Sequence, residues 1–150
     1  MIHATVHWQN SGEKLRSNRY SRVHTWTFDG GKVIEASSSP DIVPVPMSDA
    51  SAVDPEEAFV ASLSSCHMLW FLSIAAKAGF EVVAYRDEAV GEMQTNEAGK
   101  QWIGNVRLRP KVTWSGQREP SAAEMAQLHE RAHAECFIAN SVRTEIRIET

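Results

Sequence analysis

Cysteine is scarce in this chain. Two cysteines among 150 residues do not make a structural disulfide framework, and a chain of this length can bury a core without such staples. Basic clusters are missing as well. The 15 Lys and Arg residues are scattered among 19 Asp and Glu, leaving a net charge of −4. With no basic stripe, nucleic acid is not an expected partner. Met1-Ile2-His3-Ala4 has no positive region followed by an apolar stretch, which argues against a secretory signal and for a cytoplasmic protein. Nowhere does the chain reach the roughly 20 consecutive apolar residues of a membrane span, so no membrane partner is expected. In a reducing compartment, two thiols are either catalytic or simply buried.

What is present is ordered by periodicity. Ile2 to Trp8 alternates apolar and polar residues and reads as a half-buried strand. A second strand spans roughly Tyr20 to Phe28, and Asp29-Gly30-Gly31 turns it into a third, Lys32 to Ser37. Ser38 to Val53, with three prolines, is a long irregular stretch of the kind that is functional or covers something. Asp54-Pro55-Glu56-Glu57 starts a helix, with Asp as N-cap and Pro at the first helical position, and Gly79 stops it. Apolar residues run nearly all round that helix, while Ser62, Ser64, Ser65, His67, Ser73 and Lys77 interrupt them. The pattern predicts a central, buried helix rather than a span.

Val82 to Met93 and Trp102 to Trp114 read as two further strands. Ser121-Ala122-Ala123-Glu124 is a capping box opening a second helix, and Val142 to Ile148 alternates as a last strand. The order βββ-α-ββ-α-β, without repeats or linkers, predicts an α+β fold in one domain, residues 1–150.

Cys66 lies mid-helix in Ser64-Ser65-Cys66-His67. A cysteine there can pack as a small hydrophobe, and burial alone would keep its thiol protonated and inert. Activity demands a nearby cation. Arg22 shares a strand face with Tyr20, His24, Trp26 and Phe28 by the period of two. An arginine among aromatics is costly unless paired or snorkelling to water; Arg19 points to the opposite face and is the alternative. Glu56, in the first helical turn where a carboxylate suits the helix dipole, is a candidate partner. Ten residues separate Glu56 from Cys66, about 15 Å along the axis and roughly 80° out of phase, so one rigid helix cannot bring them together. A second copy of the chain would supply one side of such a site, and a homodimer is expected. Cys136 ends the second helix. Sequence leaves open whether the two sulfurs come within disulfide range.

His129-Glu130-Arg131-Ala132-His133 matches the H-E-x-x-H pattern of zinc peptidases. Such a site needs a third ligand and an open position; the glycine and third histidine of the extended motif are missing, and the helix reads as half exposed. No metal and no cofactor are expected.

Asp54-Pro55-Glu56-Glu57-Ala58-Phe59 with Cys66, and Ala132-His133-Ala134-Glu135-Cys136 with Asn140 and Arg143, together resemble the OsmC/Ohr family of organic hydroperoxide reductases. The resemblance implies sheets wrapped around two central helices in an intertwined dimer, with active sites at the subunit interface. It further implies that Cys66 attacks an organic hydroperoxide and becomes a sulfenic acid, which Cys136 resolves as a disulfide. A dithiol reductant, in several members a lipoyl-bearing protein, reopens it. In this reading Arg22 holds the thiolate and Glu56 holds Arg22, while Trp26, Phe28, Trp70 and Phe71 favour an apolar peroxide. Phe137 stands where a proline usually follows the second cysteine, His67 where an apolar residue is frequent, and the Ser38 to Val53 loop lacks a glycine-rich run. The alternative is an OsmC-like thiol-bearing stress or binding protein with little peroxidase turnover.

Overall fold

The amino-terminal alternation produces a three-stranded antiparallel sheet: β1 (Ala4–His7), β2 (His24–Phe28) and β3 (Val33–Ala36), in that order. Val6 lies opposite Trp26 and Trp26 opposite Ile34, so one face carries the apolar set. Gly31 closes the β2–β3 turn at φ +82, a conformation that favours glycine. The computed structural model describes residues 1–150, which divide into two compact units, Met1–Ala58 and Phe59–Thr150. The sheet belongs to the first. β2 is shorter than expected at its start because the Arg22 N–H goes to the Met47 carbonyl, outside the ladder. That bond also ties down the Ser38 to Val53 loop. Ser37 and Val53 anchor the loop further, through Ser37 N–H to Val53 O, Val53 N–H to Glu35 O, and Asp49 N–H to the Ser37 hydroxyl.

α1 (Pro55–Lys77) starts where Asp54 and Glu57 cap each other: Glu57 N–H donates to Asp54 Oδ1 at 2.7 Å and Asp54 N–H to Glu57 Oε2 at 3.3 Å. Gly79, at φ +82, ends it. By length and composition α1 could cross a bilayer. Its inward stripe, Leu63, His67, Phe71, Ile74 and Ala75, is buried, as in the core helix of a soluble protein. The expectation of burial all round is corrected, because within one chain the opposite stripe of Ala61, Ser65, Leu69 and Ser73 lies exposed. Those residues recur every four positions and so share one side of the helix.

Four strands, not two, separate the helices: β4 (Glu81–Asp87), β5 (Val90–Thr95), β6 (Gln101–Leu108) and β7 (Pro110–Ser115). The Trp102 to Trp114 alternation breaks at Pro110, which cannot donate a ladder hydrogen bond. The preceding Arg109 N–H is taken by Asp87 Oδ1 at 2.6 Å. β4 pairs with β7, while β5, β6 and β8 (Glu145–Ile148) form a mixed sheet in which β8 runs parallel to β6. A parallel partner requires a crossover, and α2 (Ala122–Glu135) lies within it. Its Ser121–Glu124 capping box forms as expected.

Two apolar clusters stabilise the second unit. Phe71, Ile74, Ala75, Phe80, Leu128 and Ala132 form one with Val112 and Trp114 at its edge; Leu63, Val106 and Leu108 form the other. Each fully buried Leu or Phe contributes about 1.5–3 kcal/mol.

Candidate active site

Cys66 projects from the middle of α1, on the face it shares with Phe59, Leu63 and Trp70 by helical spacing. Cys136 is the residue at which α2 gives up helical geometry, with φ −64 and ψ 112. Both thiols are free; Cys66 is half-buried and Cys136 buried, with 1% of its surface exposed. They lie close together, and this is what sequence left open. Burial is the largest cause pushing the Cys136 thiol up to about 11, and the neighbouring Cys66 acts in the same direction. The Ala139 N–H donates to Cys136 Sγ at 3.4 Å and acts the opposite way. Cys136 thus keeps its proton at neutral pH. Beside the sulfurs, Trp70 meets Phe137 edge-on, ring centroids 5.4 Å apart at 83°.

At the next residue of α1, about 100° round the helix, a second polar pair is buried. His67 Nε2 and His129 Nδ1 are 3.0 Å apart, with the rings parallel to within 5° and Phe71 stacked on His129 at 4.3 Å. The two histidines are 1% and 3% exposed. Burial drives both down to about 4, helped at His67 by His129 and His133 and opposed at His129 by Asp87. Both rings are therefore neutral at pH 7, one donating to the other. The helix that carries the H-E-x-x-H segment is half exposed as expected, with Glu130 and Arg131 outward; His129 lies on its buried face and is engaged with α1. No three His, Cys, Asp or Glu side chains are grouped to hold a metal ion. Ser64, on the same helix, donates to Asp87 Oδ2 at 2.5 Å.

The first unit holds the other expected site residues. Arg22 donates to the Asn18 and Tyr20 carbonyls and to Asn18 Oδ1, and its guanidinium lies 3.7 Å above the Tyr20 ring. It is half-buried, whereas Arg19 is exposed. Glu56 is half-buried in the first turn of α1. The ion pairs of the chain lie elsewhere, so Arg22 and Glu56 are not paired within one copy. Trp26 donates from Nε1 to His24 Nε2 at 3.0 Å, and Phe28 ends β2 with 37% exposure. Sequence reasoning missed the His67–His129 pair, although His129 lies four residues after Met125 on the apolar stripe of α2. It also gave no role to Phe137.

A family model described as OsmC-like protein matches residues 48–150. The chain belongs to the OsmC-like family. An OsmC-like protein of unknown function from Vibrio cholerae O1 biovar eltor is 52% identical to it, with a TM-score of 0.97 over 99% of this chain and 97% of that one. An organic hydroperoxide resistance protein OsmC from Legionella pneumophila shares the fold at 14% identity, with a TM-score of 0.72 over 99% and 93% of the two chains. The organic hydroperoxide resistance protein OhrB of Bacillus subtilis does so at 18% identity, with a TM-score of 0.68 over 99% and 97%. No curated protein matches the chain. The α+β class and the OsmC-like fold expected from sequence are those observed.

Proposed function

We propose that this OsmC-like chain is a cytoplasmic, thiol-dependent peroxidase that reduces organic hydroperoxides through Cys66 and Cys136, with residues 1–150 acting as one domain. The observation that carries the reading is the closeness of two free thiols on different helices, one accessible and one sealed. The half-buried Cys66 is the sulfur a peroxide can reach. As thiolate it attacks the terminal oxygen of RO–OH; the O–O bond breaks, the sulfur becomes a sulfenic acid and the leaving alkoxide takes up a proton to become ROH. Cys136 then forms a bond to the Cys66 sulfur. Its proton leaves with the sulfenic hydroxyl as water, so no external base is required. A dithiol, such as one borne by a lipoyl protein, is oxidised as it returns the disulfide to two thiols.

In this reading Arg22 stabilises the thiolate and Glu56 orients Arg22, with a second copy of the chain supplying one side of the site. The exposed α1 stripe and the lack of an Arg22–Glu56 pair within one copy support a homodimer. Trp26, Phe28 and Trp70 are assigned to the organic group of the peroxide. The test is peroxide-dependent oxidation of dithiothreitol. Wild type turns over cumene hydroperoxide faster than hydrogen peroxide, Cys66→Ser is inactive, and Cys136→Ser stalls at a trappable sulfenic acid. Turnover retained without Cys66 rules out the mechanism.

A further inference from the structure

α2 ends at Glu135 with its last carbonyls unpartnered by the helix itself. Asn140 takes up one of them, and the Cys136 carbonyl just beyond. Its Nδ2 donates to Ala134 O at 2.8 Å and to Cys136 O at 3.0 Å, and its backbone N–H donates to Cys136 O at 3.0 Å. The side-chain amide thus bridges the end of α2 to the start of the following 3-10 turn, Ala139–Ser141. Ala139, the residue before Asn140, points its N–H at Cys136 Sγ. That N–H matters chemically. Cys136 sits at a helix C-terminus, where the dipole disfavours an anion, and in a buried place that disfavours one again. Cys136 attacks as its proton departs, and the Ala139 N–H is a fixed donor aimed at the negative charge which that departure places on the sulfur.

We infer that Asn140 is a positioning residue for the resolving step: it clamps the Cys136–Ser141 turn so that the Ala139 N–H stabilises the Cys136 sulfur as it loses its proton to attack the oxidised Cys66. It has no part in the first step, because its hydrogen bonds go to the Ala134 and Cys136 carbonyls and not to Cys66 or its neighbours on α1. The inference rests on the dithiol reading above for which sulfur attacks and which resolves.

The two steps separate without peroxide. With 5,5′-dithiobis(2-nitrobenzoate), the Cys66 thiolate cleaves the reagent disulfide, releasing one aryl thiolate and leaving a mixed disulfide. Cys136 then gives its proton to solvent and displaces the second aryl thiolate as the Cys66–Cys136 bond forms. In wild type both releases occur. Asn140→Ala leaves the first release within about twofold and slows the second about tenfold, the scale of lost amide hydrogen bonds. Asn140→Asp, equal in size but without the donors and with an added negative charge, slows the second release further. Wild-type closure rates in both variants overturn the inference, and so does an equal slowing of both releases, which marks a merely structural residue. A wild type that releases only one aryl thiolate refutes the dithiol reading instead. The two failures are therefore seen in different proteins.

Discussion

His67 on α1 and His129 on α2 are joined ring to ring, Nε2 to Nδ1 at 3.0 Å, in a place where neither can take a proton cheaply. The bond ties together the two helices that carry the cysteines. Two neutral imidazoles satisfy each other only while one donates and the other accepts.

Acid should therefore loosen this protein through that pair. In the unfolded chain each imidazole titrates near 6.5, and in the folded one about 4. Between those values the unfolded state binds more protons, so unfolding free energy falls as pH drops from about 6.5 to about 4 and is insensitive to the pair above that window. Denaturant unfolding at a series of pH values should show this slope in wild type and lose most of it in His67→Leu/His129→Leu. An identical slope in the double variant would assign the acid sensitivity to other groups.

Gly91 on β5 marks a close approach to α1. A Cβ there would lie 2.6 Å from Val60 Cγ2 and 3.4 Å from Ile103 Cγ2. Val60 is β-branched and stiff in a helix, so it cannot swing away. Gly91→Ala should cost about 1–3 kcal/mol of stability, and Val60→Ala in the same chain should recover much of it, a non-additivity expected of touching residues. Unchanged stability in Gly91→Ala would mean the helix can shift away freely.

The uncovered side of α1 gives a third test. Leu69 is 61% exposed in a stripe otherwise of small residues, Ala61, Ser65 and Ser73. Sedimentation at micromolar concentration should find wild type dimeric and Leu69→Lys shifted to monomer, since a desolvated lysine at such an interface is costly. Monomeric wild type with full peroxidase activity would reject the shared-site arrangement.

Local chemistry written in the chain was legible. Asp54 with Glu57, and Ser121 with Glu124, announce helix starts because a cap is satisfied by atoms three residues away. Gly31 and Gly79 announce the turn and stop they occupy. The candidate cysteines were found by type and spacing, and the family by its motifs. Where strands break was less legible. Arg109 and Pro110 end β6 through a bond to Asp87, which lies 22 residues earlier in the chain, so one alternating run feeds two sheets and two apolar clusters.

What the sequence determined by itself was therefore the set of elements, the α+β class and which thiols to watch, since these depend on interactions spanning a few residues. Only the tertiary structure decided that Cys66 and Cys136 are neighbours, and that His67 and His129 form a buried pair. Those contacts join residues 70 and 62 positions apart. Helical periodicity tells which face a side chain occupies, not which other face it meets. That choice belongs to the packing of the whole unit.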